Sequence, residues 1–322
     1  MRNVLVGAVD STAIALKALV EHNVAPQALF TLPLTKSERH SDYVYLAPLA
    51  EQHGVSVIDA PNVNQPEILD KIRYLEPDYL FVIGWSQICR QELLSIPRLG
   101  TIGCHPAPLP KNRGRGVIPW TILQRCSQTG MSLFWVDQGM DSGEILLQEK
   151  FAVEPSETAT TLYQKHGESL QRLFHQAIPM LKEGNAPRIP QNHSHATYCA
   201  KRVAEDGLID WNLPAESIWT LIRAVTKPYP GAFTFYKGKK LTIWEADYVG
   251  DSPYWGLPGQ IQGFVDAGAL VQCGDGKHIL LKSIEFEDEA EVPAHTVLKN
   301  HDKLGINILS IYTQLIEKGA FK

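Results

Sequence analysis

His105 and Asp141 are the two side chains in this sequence best suited to moving a proton. His105 lies in Gly103-Cys104-His105-Pro106-Ala107-Pro108-Leu109-Pro110, and Asp141 in Asp137-Gln138-Gly139-Met140-Asp141-Ser142-Gly143. A neutral imidazole accepts a proton near pH 7, and a carboxylate beside it fixes its tautomer and stabilises its charged form. The two groups are therefore expected to converge as a proton-handling couple. Pro106, Pro108 and Pro110 each restrict φ, which holds the loop after the histidine still. Cys104 is a lone thiol in an apolar strand and reads as core rather than nucleophile.

Apolar periodicity indicates the elements that must position this couple. Short apolar runs at 3–9, 28–31, 55–59, 79–83 and 100–104 predict strands. Helical spacing lies between them at 13–21, with Asp10-Ser11-Thr12 as N-cap, and at 43–52, 66–74 and 91–95. Such alternation predicts an α/β domain whose Rossmann-like, mostly parallel sheet has helices on both faces. Ligands bind beyond the carboxyl ends of these strands, and His105 follows one directly. Next come an expected helix at 118–125, strands at 132–136 and 144–151, and a long helix at 160–183. The polar stretch 185–198 reads as a linker. Its His193 and His195, with Cys199, fit no standard zinc spacing, so no metal is expected. Further on, strand-like pieces at 232–236, 240–245, 259–265, 269–273 and 278–284 are separated by Gly, Asp and Pro. They predict a small β-rich, OB-like barrel domain. The expected organisation is a catalytic domain over 1–200, a small β domain over 201–290 and a helical tail over 291–322.

Bulk properties narrow the class. At 322 residues the chain can bury one large core and a smaller one. A net charge of −5 provides no global basic field for a polyanion, so nucleic acid is a disfavoured partner. The five cysteines stand singly, and the opening residues Met1 to Gly7 look like a first strand rather than a signal peptide. No apolar run approaches the ~20 residues that span a bilayer. A cytoplasmic protein with reduced thiols and no membrane partner is expected.

Three strings, in order along the chain, resemble active-site segments of the 10-formyltetrahydrofolate-dependent formyltransferases. Asp78-Tyr79-Leu80-Phe81-Val82-Ile83-Gly84-Trp85-Ser86 is similar to the strand and loop that line the family's pterin pocket. Cys104-His105-Pro106-Ala107-Pro108-Leu109-Pro110, followed by Arg113-Gly114-Arg115-Gly116, resembles its His-Pro and Arg-Gly string. Gly130-Met131-Ser132-Leu133-Phe134 through Asp141-Ser142-Gly143 resembles its Asp-x-Gly-x-Asp-x-Gly pattern. In the second domain, Asp210-Trp211 and Pro228-Tyr229-Pro230-Gly231-Ala232-Phe233 look like the C-terminal domains of methionyl-tRNA and sugar N-formyltransferases.

The resemblance implies an enzyme in which an amine attacks the formyl carbon of N10-formyltetrahydrofolate, without a metal. It implies His105 as base or relay and Asp141 as the group that orients it and steers the proton. It places Gly84, Trp85, Ser86, Gln87, Asp137 and Gly139 against the folate. Gly103, Cys104, Pro106, Arg113, Arg115, Lys36 and Arg39 would then border the acceptor. One position departs from the family: Gly103 stands where members carry an Asn whose amide donates to the formyl oxygen. Loss of such a donor costs ~3–4 kcal/mol. The departure motivates an alternative reading, a non-catalytic folate or sugar-nucleotide binding module.

For the acceptor, the loop from Leu34 to Tyr43 holds two cations, Lys36 and Arg39, against Glu38 and Asp42. That is little charge for gripping a tRNA acceptor stem but enough for a diphosphate. A nucleotide-linked amino sugar is the expected acceptor, methionyl-tRNA the runner-up. Apolar strand edges in the second domain are compatible with a homodimer.

Overall fold

Short runs of apolar, largely β-branched and aromatic residues build a sheet that is covered on both sides. The computed structural model describes residues 1–39, 42–306 and 316. Two units separate, Met1–Arg202 and Val203–Lys322. In the first, the order is β1 (Asn3–Val6), α1 (Asp10–Glu21), β2 (Ala28–Thr31), α2 (Ala47–Gln52), β3 (Ser56–Asp59), α3 (Pro66–Tyr74) and β4 (Tyr79–Val82). There follow α4 (Gln91–Leu94), β5 (Gly100–His105), β6 (Arg113–Gly114), α5 (Val117–Leu123), β7 (Gln128–Trp135), β8 (Ile145–Ala152), α6 (Ala159–Glu183) and β9 (Tyr198–Cys199).

The main sheet has the strand order β3-β2-β1-β4-β5-β7-β8. Its first five strands are parallel; β7 runs antiparallel to β5, and β8, antiparallel to β7, returns to the direction of the first five. This is the mostly parallel, helix-covered α/β fold expected. Side chains alternate across it. Leu5, Leu29, Phe81 and Ile102 pack with Leu16, Leu19, Leu170 and Phe174 of α1 and α6. Val4, Val6, Phe30 and Leu80 pack with Ile68, Leu69 and Ile72 of α3 on the other face. Helix α1 starts at Asp10, earlier than its sequence suggested. Thr12 is therefore inside the first turn; it accepts the Val9 N–H (3.2 Å) and donates to the Ile83 carbonyl (2.7 Å). That contact ties α1 to the end of β4.

The second unit contains α7 (Ala215–Val225), β10 (Ala232–Tyr236), β11 (Lys239–Gly250), β12 (Ile261–Val265), β13 (Gly268–Gln272), β14 (His278–Phe286) and β15 (Val292–Pro293). Antiparallel pairing gives the order β10-β11-β14-β13-β12, with β15 on β14. The terminal strands β10 and β12 are bridged by a strap rather than by direct pairing. Ile261 exchanges hydrogen bonds with His301 and Asp302 (both 2.9 Å), and the Gly305 N–H reaches the Phe235 carbonyl (2.8 Å). Residues 291–306, expected to begin a helical tail, instead supply β15, a short 3-10 turn at Ala294–Thr296 and this strap. Strand pairing to β12 and β10 outcompetes local helix formation there. The rest of the expected tail lies outside the described residues, Ile316 excepted.

Phe81 is fully buried in β4, with its ring centroid 6.2 Å from that of Phe174. Phe81→Ala is expected to destabilise the protein by ~3–5 kcal/mol through the cavity it leaves, read as a lower midpoint in urea unfolding.

Candidate active site

β5 ends on His105, which pairs with Ser132 of β7. The imidazole is 4% exposed. Its Nε2 lies 2.7 Å from the Asn112 carbonyl oxygen. A carbonyl only accepts, so Nε2 carries the proton, and in the neutral ring Nδ1 keeps its lone pair. Nδ1 lies 3.6 Å from Asp141 Oδ2. The same Oδ2 accepts the Gly114 N–H at 2.8 Å. The two side chains highlighted by the sequence are thus brought together, Nδ1 facing the carboxylate. Two acceptors at that separation attract one another only when a proton resides on one of them. The arrangement leaves room for one proton between Nδ1 and Oδ2.

The proline-rich loop is fastened from below. Ser132 Oγ donates to the Ala107 carbonyl (2.7 Å) and accepts the Leu109 N–H (3.2 Å). Gln148 Nε2 donates to the Leu109 carbonyl and to Ser132 Oγ, both at 2.9 Å. Asn112 and Gln148 escaped the sequence reading, and Gly114 and Ser132 entered it only as members of motif strings, without a role. Asn112 and Gly114 act through the backbone, which no motif reports. Charge close to the couple is limited by burial. His166 of α6 is pushed down to about 3 and stays neutral. Cys104 is pushed up to about 12 by burial, so it stays a thiol. Its sulfur is no nucleophile at neutral pH.

The other expected ligand-facing residues divide. Gly84 has φ +67°, and a Cβ there would lie 2.3 Å from Val9 Cγ2, so the β4–α4 turn requires glycine. Trp85 Nε1 is a buried donor with no partner among the described residues. Ser86, Asp137 and Gly139 are exposed; Asp137 Oδ1 accepts the Gly139 N–H (3.0 Å) and the Ser142 hydroxyl (2.7 Å). Gln87 spends its amide on structure, accepting the Val63 N–H (3.2 Å) and donating to the Pro61 carbonyl (2.9 Å). Pro106 is half-buried beside His105, and Arg115 is exposed. Arg113, expected to face an acceptor, is instead 2% exposed and bonded inward. The arginine's strand β6 pairs with β9, which turns the side chain into the unit. The Arg39 side chain lies outside the described residues.

Gly103 is packed on the side where the family's Asn would project. A Cβ there would stand 2.8 Å from Val136 Cγ2 and 3.1 Å from two Phe134 ring atoms. Val136 and Phe134 occupy the space an amide would need. Near the far side of the same sheet end is an open cavity of about 540 Å³, lined by Lys36, Pro61, Asn62, Gln65, Ile88 and Arg90 among others. Asn64 stitches its walls, donating to the Ile88 carbonyl (2.8 Å) and accepting the Arg90 N–H (2.9 Å). Among the described residues, the Lys36 and Arg90 side chains have no acidic or hydrogen-bonding partner and no carboxylate lines the cavity.

Known proteins share this fold. The formyl transferase model matches residues 27–178, and the formyl transferase C-terminal domain model residues 202–302. A methionyl-tRNA formyltransferase from Caldanaerobacter subterraneus subsp. tengcongensis is 34% identical over 296 residues, covering 90% of this chain and 93% of its own. The chain belongs to the formyl transferase family and is a formyltransferase. Two solved structures share the fold. An N-formyltransferase from Helicobacter canadensis, in complex with folinic acid and dTDP-3-aminofucose, has a TM-score of 0.61 and 18% identity, covering 87% of this chain and 98% of its own. HypX from Aquifex aeolicus has a TM-score of 0.66 and 18% identity over 92% of this chain, which spans about half (48%) of that longer protein.

Two outcomes are expected. Gly103→Asn should destabilise the protein by ~1–3 kcal/mol by overpacking against Val136, seen in thermal unfolding, with no gain in turnover. In native protein at about pH 8, Cys104 should resist iodoacetamide and become modified only after denaturation, as read by peptide mass spectrometry.

Proposed function

We propose that this formyltransferase moves the formyl group of N10-formyltetrahydrofolate to the primary amine of a nucleotide-linked amino sugar. The 3.6 Å approach of His105 Nδ1 to Asp141 Oδ2 carries the reading. As the amine nitrogen bonds to the formyl carbon, the bond from that carbon to N10 breaks and N10 takes up a proton and leaves as tetrahydrofolate, while the amine must lose a proton. His105 Nδ1, its lone pair preserved by the Nε2–H donation to Asn112, takes that proton. Asp141 then lies beside an imidazolium and stabilises it.

The residues present fit a reduced folate. The turn at Gly84 and the loop from Asp137 to Asp141 offer backbone groups to a flat polar ring, and the orphaned Trp85 Nε1 is a donor suited to one. The unpaired Lys36 and Arg90 suit an anion, either a sugar-nucleotide diphosphate or a folate carboxylate tail. Two cations and a net charge of −5 favour a small anionic acceptor over a polynucleotide. A methionyl-tRNA acceptor is the second reading, favoured by the 34% identity to the Caldanaerobacter enzyme.

Incubating the protein with N10-formyltetrahydrofolate and either dTDP-3-aminofucose, UDP-linked amino sugars or methionyl-tRNA decides between them. Formylated sugar is expected; tRNA formylation that falls steeply with added salt would reject the sugar reading. His105→Ala and Asp141→Asn are each expected to lower kcat by about 100-fold or more. Full activity in either would remove the proposed proton path.

A further inference from the structure

Asp141 is held in an unfavourable conformation by residues outside its own loop. Its φ is +49°, in the left-handed region that residues other than glycine adopt uncommonly. Gln191, within the stretch 185–198 that reads as a linker, is packed against this loop. Gln191 is 6% exposed. Its Nε2 donates to two carbonyls of the turn, Asp141 O at 2.9 Å and Gly143 O at 2.6 Å. A primary amide can be turned end for end with little change in shape, so something must define which end faces the loop. Arg113 does so: its Nη2 donates to Gln191 Oε1 at 2.6 Å. A guanidinium has no acceptor, hence Oε1 must face Arg113 and the NH2 group must face Asp141.

Arg113 is itself an unusual group. It is 2% exposed and has no ion-pair partner among the described residues. Its other contacts are the neutral acceptors His193 Nδ1 (3.0 Å) and the Tyr198 hydroxyl (3.3 Å), and its Nε is unsatisfied. Burying a cation without a carboxylate costs several kcal/mol, which a fold does not carry without a return elsewhere. The same residue's strand places the next N–H, that of Gly114, on Asp141 Oδ2 at 2.8 Å. Backbone and side chain of 113–114 thus act on opposite ends of one residue.

We infer that Arg113 and Gln191 form a positioning clamp that sets Asp141 against His105, the guanidinium orienting the amide and the amide fixing the turn. The inference rests on the proposed proton path through His105 and Asp141. Gln191→Glu tests it without emptying the site. A carboxylate can still accept from Arg113, now as an ion pair, but it presents an acceptor to the two loop carbonyls. Stability to heat is expected to be kept, while kcat falls ~10- to 100-fold and KM for donor and acceptor stays within about threefold. Arg113→Lys, which keeps the charge and one donor, should retain more activity than Arg113→Met.

The clamp acts only through Asp141, so Gln191→Glu added to Asp141→Asn should cost less than about twofold more; multiplicative losses would overturn it. An acceptor-independent readout is amide exchange at Gly114, expected to quicken at least tenfold in Gln191→Glu. Unchanged kcat and unchanged Gly114 exchange in a folded Gln191→Glu variant sink the clamp while leaving the catalytic reading intact. Full activity in Asp141→Asn sinks that reading instead, and is distinguishable because the exchange result at Gly114 does not depend on it.

Discussion

The close approach of His105 Nδ1 to Asp141 Oδ2, on which the proposed proton path rests, is the constraint around which the first unit is arranged. His105 Nδ1 and Asp141 Oδ2 face each other only because each is committed elsewhere: Nε2 to the Asn112 carbonyl, Oδ2 to the Gly114 N–H. Asn112 and Gly114 are two residues apart on one short segment. A single strap therefore defines the tautomer of the imidazole and the position of the carboxylate together. β9 holds that strap by pairing with β6, and Thr197 adds bonds to Asn112 and Arg113.

The rest of the sheet end serves the same geometry by excluding competing charge and motion. Burial keeps His166 and Cys104 neutral, so neither adds a charge beside the couple. Ser132 and Gln148 rise from the antiparallel strands β7 and β8 and fasten the proline loop, which continues directly from His105. The antiparallel pair at the sheet's edge thus has a chemical consequence: it brings polar side chains under a loop that a parallel strand would leave to a helix. The open cavity with Lys36 and Arg90 lies where loops following β2, β3 and β4 meet, the position at which parallel sheets present ligands.

Much of the fold was legible because it rests on local periodicity. The helix expected at 66–74 is α3 residue for residue, and the strand expected at 232–236 is β10. Boundaries shifted where a long-range bond decided them, as at α1, whose first turn is extended by the Thr12 contact with Ile83. The stretch 185–198 was misread because its polar composition matches a linker. Its role depends on Gln191 and Thr197 reaching partners distant in sequence, which no local pattern reports. Arg113, expected to border the acceptor, was misread for the same reason: its inward direction depends on the pairing of β6 with β9, far apart in sequence.

By itself, the sequence determined the α/β alternation and the antiparallel second unit, and it singled out His105 and Asp141, which the structure brings together. These follow from side-chain type and spacing along the chain. Only the tertiary structure decided which nitrogen of His105 is free, what occupies the space beside Gly103, and that a buried arginine and a glutamine hold Asp141 in place. Each of those depends on atoms brought within bonding distance by the pairing of segments far apart in the chain, and that closeness is a property of the packed sheet rather than of any stretch within it.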